Sequence, residues 1–406
     1  MTRRRDFRLV TAGQAVTQFG TDITAVAFPL TAVLVLRATP FQLGLLVAAQ
    51  TSAFLVVGLP AGVWLDRRRR RPVLIGADLV RALALIVVTA AAGAGTLTFG
   101  LLFVVALVMS VMRVVFEIGY QTYLPSVVDG ADLVRGNSAV EAVRAGGQIA
   151  GPGVGGWLVQ LAGAANALLA DAVSFLVSAF CLWRVAAEEE KPAATTARRG
   201  MAREGVRFVL ADPVLRAIAA TSALSNLLFT AASALNVLFL VDTVGLSAGT
   251  AGLMFSAAAA AGLVAAVAAT RLARWAGSAR IIWLSVAVTS PLNLLIPFTE
   301  PGWRIAFFVL AVTVGGGGQL VYAITQLSYR QAVVPRAILG RVNATMRFLV
   351  MGALPVGGLL GGTLGGLIGV RPTMLVIGAG LTLAPIFVVL SPLRRVRDVS
   401  ELVVRT

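Results

Sequence analysis

The sequence predicts an all-α integral membrane protein: twelve transmembrane helices in two pseudo-symmetric six-helix bundles. Three observations predict it. Of the 406 residues, 58% are apolar and only 13% charged, with a mean hydropathy of +0.88, whereas soluble domains are near half apolar and a quarter charged. The apolar residues fall into runs of spanning length, because a helix crosses the hydrocarbon core in about 20 residues. The second half of the chain also repeats a small-residue pattern of the first. Lipid offers no partners to backbone polar groups, so runs this apolar must be helical. Barrel strands would read as short alternating segments.

The spans are read at 9–36, 43–65, 73–95, 99–122, 137–161, 164–185, 214–241, 248–270, 281–299, 304–327, 343–368 and 372–392. The N-terminal bundle is expected over 1–185, a cytoplasmic linker over 186–212, and the C-terminal bundle with a cytoplasmic tail over 213–406. The first span follows Met-Thr-Arg-Arg-Arg, is too long for a signal h-region and lacks an obvious cleavage site, so it is expected to be retained. The linker carries Glu188, Glu189, Glu190 and Pro192, with a short amphipathic helix expected around 203–210.

Arginine placement sets the orientation. With the N-terminus inside, the inner connections hold Arg3, Arg4, Arg5, Arg67 to Arg71, Arg198, Arg199, Arg271, Arg274, Arg336, Arg394 and Arg395, among others. The outer connections hold only Arg37, Arg304 and Arg371. This predicts a multi-pass protein of the cell membrane with both termini cytoplasmic. It also accounts for the net charge of +16, because the basic residues flank spans and form no separate nucleic-acid-binding domain.

Counting excludes several chemistries. There is no histidine, which removes Ser-His-Asp and Cys-His catalysis and histidine metal sites. The single lysine, Lys191, sits between Glu190 and Pro192, so no P-loop exists. Cys181 is the only cysteine and cannot form an internal disulfide. No cofactor, no metal and no enzymatic activity are expected.

Polar residues inside spans are costly and mark function. Span one carries Thr11, Gln14, Gln18 and Asp22 on one helical face. Asp22 lies on the order of 20 Å from the inner end at 1.5 Å per residue. A carboxyl held in low dielectric there suits a proton carrier, although pairing with a buried arginine or a packing role fits the same position. Between spans two and three runs Gly62-Val-Trp-Leu-Asp66-Arg67-Arg68-Arg69-Arg70-Arg71. Gly58, Ala61 and Gly62 are expected to let neighbouring helices approach closely, and Asp66 to pair with an arginine or cap the third helix. In span three, Asp78 and Arg81 read as an ion pair near the inner surface.

Span four carries Arg113, Glu117, Tyr120 and Gln121 on one face, where Arg113 and Glu117 either pair with each other or share a role in coupling. Span five contains Gly147-Gln-Ile-Ala-Gly151-Pro152-Gly153-Val-Gly155-Gly156. Pro152 removes a backbone donor and is expected to bend the helix, and the glycines present a smooth face to another span. Glu141 and Arg144 read as a pair, with Arg347 directed at the same region. Asp171 in span six is expected to bond Asn166 or a neighbouring helix. Span seven carries Ser222, Ser225, Asn226, Phe229, Ser233 and Asn236; span ten carries Gln319, Tyr322, Gln326 and Tyr329 behind glycines 315–318.

The repeat joins spans five and eleven. At an offset of 206, Arg135, Asn137, Gly146, Gly151, Gly155, Gly156 and Leu158 match Arg341, Asn343, Gly352, Gly357, Gly361, Gly362 and Leu364. Two parallel repeats suggest a transporter with its site between halves near the midplane.

These motifs resemble the major facilitator superfamily over nearly the whole chain. The loop around Asp66 is similar to the superfamily's signature between its second and third helices, with Arg69 where that pattern places a glycine. The span-five segment fits the motif of the family's antiporters at every defined position. Asp78-Leu-Val-Arg81-Ala, and Leu124-Pro125 through Asn137, resemble the branch of macrolide, drug and siderophore exporters. The resemblance implies a gating charge network for Gly62, Asp66, Arg67 and Arg70. It implies a conformational role for Gly147, Gly151, Pro152, Gly155 and Gly156, and a proton-transfer role for Arg113. It also implies that spans one, four, seven and ten line a central cavity, with Gln14, Gln18, Tyr120, Asn226, Phe229, Asn236, Gln319, Tyr322 and Gln326 on its wall.

The expected activity is proton-coupled export of a hydrophobic or amphiphilic small molecule, with Asp22 and Glu117 protonatable and Arg113 tuning them. The partners are the substrate, protons and membrane lipid. One chain supplies both halves, so a monomer is expected. The alternatives are a proton symporter or facilitator for a metabolite, an embedded lipid-modifying enzyme, and a non-transporting scaffold or sensor.

Overall fold

In the computed structural model, residues 2–65, 67–127, 133–185 and 201–398 are described. Asp66 lies outside them, as do the linker up to residue 200 and the extreme tail.

The helices follow the hydropathy runs. They are α1 (Thr2–Leu34), α2 (Pro40–Leu65), α3 (Arg70–Gly93), α4 (Phe99–Val127), α5 (Leu133–Ala162) and α6 (Ala164–Arg184). Within the linker lies α7 (Met201–Ala211), over the short helix expected at 203–210, and after it come α8 (Pro213–Leu238), α9 (Ala248–Ala276) and α10 (Arg280–Thr289). Then follow α11 (Ile305–Leu310), α12 (Gly316–Val333), α13 (Arg336–Ile368), α14 (Val370–Leu383) and α15 (Ile386–Val389). Among the described residues, ten helical segments are long and apolar enough to cross a membrane. The two further expected spans, α1 and α5, are long enough but more polar, and they carry the candidate polar face and the glycine motif.

Four predicted spans are less regular than their hydropathy suggested, the seventh ending in a π helix over Phe239–Thr243. α10 continues as a 3₁₀ helix over Ser290–Phe298, where Pro291 and Pro297 lack the N–H that an α-helix needs. A π turn at Ala311–Gly315 joins α11 to α12, at the start of the glycine run. The last span breaks at Pro385, between α14 and α15. Local caps set other ends. Asp212 Oδ1 accepts from the backbone N–H of Val214 and Leu215 at 2.8 and 2.9 Å, with Pro213 opening α8. Thr39 and Gln42 form a reciprocal capping box at α2.

The chain divides into two compact units. One comprises Met1–Thr196 with Leu240–Asp242 and Leu246–Ser256; the other comprises Ala197–Phe239, Thr243–Gly245 and Ala257–Thr406. In the first, α1 packs on α5 and α6, α3 on α4 and α6, and α2 on α4. In the second, α13 packs on α7 and α8, α14 on α8 and the 3₁₀ segment, and α10 on α12. The opening turns of α9 belong with the first unit because glycine permits close contact there: a Cβ at Gly252 would lie 2.3 Å from the Pro152 carbonyl.

The internal repeat reaches the turns. α5 and α6 are joined by Gly163 at φ +90°, and α13 and α14 by Gly369 at φ +86°, again 206 residues apart. Both occupy backbone conformations that side chains with a Cβ rarely adopt.

Large apolar side chains face outward along the helices, including Leu83 at 61%, Val264 at 68% and Leu367 at 76% exposure. A surface of this kind needs lipid to cover it. Trp157, Trp183, Trp275 and Trp303 are exposed near helix ends, as interfacial aromatics are.

The loop after α2 differs from its sequence reading. Among the described residues, a Cβ on Gly62 would meet nothing within 4 Å, and one on Gly58 only the Phe54 ring of its own helix. Among the described residues no close helix approach of the expected kind is found at these glycines, while Ala61 is buried. Arg67 is exposed, Arg70 half-buried at the start of α3, and Arg71 reaches across to the end of α6. Its Nε donates to the Leu182 carbonyl at 2.9 Å and its Nη2 to that of Trp183. A cation at a helix C-terminus satisfies orphan carbonyls and the dipole together. Arg71→Ala is expected to cost about 1–2 kcal/mol, read as a lower melting temperature of the purified protein in detergent.

A second latch closes the tail. Asp398 Oδ1 accepts from the Ser278 backbone N–H at 2.9 Å and from Ser278 Oγ at 3.1 Å, and the Arg397 carbonyl accepts from Ala279 N at 3.0 Å. The Ser278 N–H favours the carboxylate, which holds Asp398 below its ordinary value of 3.8. A carboxyl lowered by folding stabilises above the ordinary value, and that contribution is lost as pH falls through the folded one. Asp398→Asn is expected to melt slightly below wild type at neutral pH, and the two curves to converge in acid below the carboxylate range.

Candidate functional site

The polar face of α1 is built around Asp22, and α5 makes room for it. Asp22 is half-buried, and its Oδ2 accepts a hydrogen bond from Gln18 Nε2 at 3.1 Å. A Cβ on Gly147 would lie 2.6 Å from Asp22 Oδ2, one on Gly151 2.4 Å from Asp22 Cβ, and one on Gly155 3.0 Å from the Ile23 carbonyl. Three glycines spaced by four residues thus form the groove that admits the α1 backbone and its carboxylate. Two features read separately in the sequence, the intramembrane acid and the glycine motif, are one contact.

The other edge of α5 meets the opening of α9. Gly153 N donates to Ser256 Oγ at 2.9 Å. A Cβ on Gly156 would lie 2.4 Å from the Ala248 carbonyl. Beside this seam is an apolar groove of about 460 Å³ lined by Ile149, Val154, Trp157, Leu161 and Leu253, among others. Its hydroxyl, Ser256 Oγ, is already engaged with Gly153, so the groove offers little to orient a polar ligand.

Two cations act on Asp22, Arg113 of α4 and Arg144 of α5. Arg113 is exposed, as is Glu117 one turn further along α4. Arg144 stands 3.9 Å from Glu141 in an exposed pair. Gln14 is half-buried, and its Oε1 is enclosed without a hydrogen-bond partner among the described residues. The first unit therefore brings Gln14, Gln18 and Asp22 onto one face of α1, with the charge of Arg113 reaching the acid.

In the second unit, Asn226 Nδ2 donates to the Ser222 carbonyl at 2.8 Å, and Gln326 Nε2 to that of Ala323 at 3.1 Å. Asn226, Phe229, Asn236, Gln319 and Gln326 are all half-buried. Asn236 Oδ1 is enclosed with no partner among the described residues.

Two tyrosines expected on a cavity wall are placed otherwise. Tyr322 is 1% exposed; its hydroxyl donates to the Ile218 carbonyl at 3.0 Å and lies 2.9 Å from Ser222 Oγ, fastening α12 to α8. Tyr120 is 8% exposed and stacks on Phe116 with centroids 5.9 Å apart, in a core with Leu74 and Ala77. A polar stripe on a helix records which residues share a face and leaves open whether that face meets a cavity or a neighbour. Of the two partners expected for Asp171, Asn166 bonds the Ala162 carbonyl instead, whereas the neighbouring helix α1 does reach it through Thr24; Asp171 Oδ1 also accepts from Ser174 Oγ at 2.8 Å. The role of Arg71 at the end of α6 had no local signal, because its partners lie more than a hundred residues away.

Comparison with known proteins places this arrangement. Residues 10–354 match the model of the Major Facilitator Superfamily. The chain is 29% identical over 416 residues to the multidrug efflux pump Tap of Mycolicibacterium fortuitum, covering 97% of this chain and 96% of that protein. Among solved structures it is similar to a mutant of the nucleoside transporter NupG, with a TM-score of 0.77 and 12% identity over 94% of this chain and 98% of that one. It is likewise similar to a bacterial homolog of the human lysosomal transporter Spinster in an inward-facing, occupied conformation, with a TM-score of 0.75 and 14% identity over 97% of each chain. At such identities the structural likenesses establish the fold.

Proposed function

This chain belongs to the Major Facilitator Superfamily, and from that premise we propose that it exports a hydrophobic or amphiphilic small molecule in exchange for protons. It is a multi-pass membrane transporter and not an enzyme. The observation that carries the proposal is the seat of Asp22: an intramembrane carboxylate held against Gly147 and Gly151, bonded by Gln18 and acted on by Arg113. Similarity to a multidrug efflux pump over nearly the full length supports the outward direction and the substrate class.

The mechanism follows from one charge. With Asp22 ionised, the α1–α5 contact carries a negative charge facing Arg113 and Arg144. Proton uptake at an Asp22 oxygen neutralises it, weakens that attraction and frees Gln18 to find other partners. Release of the proton to water restores the charge. Alternation between these forms gives the two halves a reason to change their preferred arrangement. Glu117 is a second protonatable group on α4. Gln14, Gln18, Asn226, Phe229, Asn236, Gln319 and Gln326 present amides and a ring among apolar carbon, which suits a bulky amphiphile. The gating role of Gly62, Asp66, Arg67 and Arg70, cytoplasmic termini and a monomeric state belong to the same proposal.

The test is accumulation of a panel of dyes, macrolides and siderophores in cells with and without the chain, with and without an uncoupler. Export predicts lower accumulation with the chain and loss of that difference on uncoupling. Higher accumulation with the chain would favour uptake by symport.

A further inference from the structure

Asp78 and Arg81 of α3 and Asp171 of α6 form a charged cluster inside the first unit, apart from the face of α1 that carries Asp22. They are 0%, 5% and 0% exposed. Arg81 Nη2 donates to Asp78 Oδ1. The guanidinium lies between two rings, 4.5 Å from the centroid of Phe116 and 4.2 Å from that of Phe175. Aromatic faces on either side favour the charged guanidinium and fix its position. Its charge acts on both carboxylates. Ser178 of α6 turns to Asp78, and Ser174 of α6 and Thr24 of α1 turn to Asp171. Gly20 of α1 closes the cluster, because a Cβ there would lie 2.5 Å from Asp171 Oδ1. The other charge reaching it is Arg113 of α4, which acts on Arg81; α4 also packs Tyr120 and Tyr123 against α3. Among the described residues, α1 and α5 add no charge to its electrostatics.

The charges do not balance. Two carboxylates face one fixed guanidinium, so with both ionised the interior holds one uncompensated negative charge, which a low-dielectric environment opposes. Asp78 Oδ2 and Asp171 Oδ2 are both buried without a hydrogen-bond partner among the described residues. A metal ion or organic cation would need room beside them, whereas a proton adds charge without volume.

We propose that Asp78, Arg81 and Asp171 form a proton-binding site, distinct from Asp22, that takes one proton between its two carboxylates. On uptake an O–H bond forms at one carboxylate oxygen and the cluster passes from a net charge of minus one to neutral. On release the proton returns to water, and no electrons are exchanged. A part for this proton in coupling rests on the proton-driven export reading; the binding site itself does not.

Infrared difference spectra of the purified, reconstituted protein, titrated with protons in H₂O and D₂O, test it. Besides the band of Asp22, the wild type is expected to show a second carbonyl band, that of a fully enclosed carboxylic acid, shifted in D₂O. Asp171→Asn and Asp78→Asn should each lose it, because one remaining carboxylate balances Arg81. Arg81→Gln should enlarge it, and Asp22→Asn should leave it in place. An unchanged band in both Asp171→Asn and Asp78→Asn would overturn the proposal. If either asparagine variant does not fold, Asp171→Glu and Asp78→Glu keep the carboxyl and should move the band; a band that stays put in both would equally overturn it. Failure of the export reading would appear elsewhere, as wild-type dye accumulation indifferent to the uncoupler while this band persists.

Discussion

Asp22→Asn is expected to bring gradient-driven export down to the level of cells lacking the chain, while the protein still inserts and folds. Asparagine is nearly isosteric, so it fits between Gly147 and Gly151 and keeps an oxygen for Gln18 Nε2. It cannot take or release a proton, so the α1–α5 contact stays in one charge state. Energy-independent exchange of labelled for unlabelled substrate should therefore survive, since it needs the substrate to cross but no net proton movement. Sided vesicles loaded with a transported dye, with and without an imposed pH gradient, separate the two rates. Full gradient-driven export by Asp22→Asn would remove Asp22 from the mechanism. Equal loss of both rates would point to substrate binding or folding.

Gly361→Val is expected to have the largest effect on folding. A Cβ at Gly361 would lie 2.3 Å from the Ala231 carbonyl, and one at Gly357 2.2 Å from the Leu227 carbonyl. Backbone atoms cannot swing aside, so α13 and α8 must separate along their length. Overpacking of this kind costs roughly 1–3 kcal/mol and occasionally more, and here the upper end or beyond is expected. Gly366 supplies the control. It lies on the same helix, exposed, with nothing among the described residues within 4 Å of an added Cβ. Gly366→Ala should be neutral or stabilise by about 0.5–1 kcal/mol. The fraction of monodisperse protein after extraction and its melting temperature report both. A Gly361→Val protein as stable as wild type would show that the two helices are not in contact as described.

The fold was legible because lipid imposes simple rules. Runs of apolar residues became helices, and the offset of 206 proved to connect glycine packing faces and glycine turns in both halves. The glycines of α5 were also correctly read as a packing face, since few other roles suit small residues at that spacing. What the sequence hid depends on contacts between distant segments. Asp78 and Arg81 looked like an ordinary i, i+3 pair; that Phe116, Phe175 and Asp171 enclose them is a matter of how α3, α4 and α6 meet. Tyr322 shared a helical face with polar neighbours yet faces α8. Gly62 was small and near a motif, but among the described residues nothing lies within 4 Å of a Cβ placed there.

The duplicated glycine register also has unequal occupants. Gly151 receives an acid, Asp22, whereas its counterpart Gly357 receives the carbonyl of Leu227, an aliphatic residue. The two halves share the packing register but not the chemistry it encloses. A tandem fusion of the second half to itself should still assemble its glycine-lined seams, yet it would carry no carboxylate against either of them.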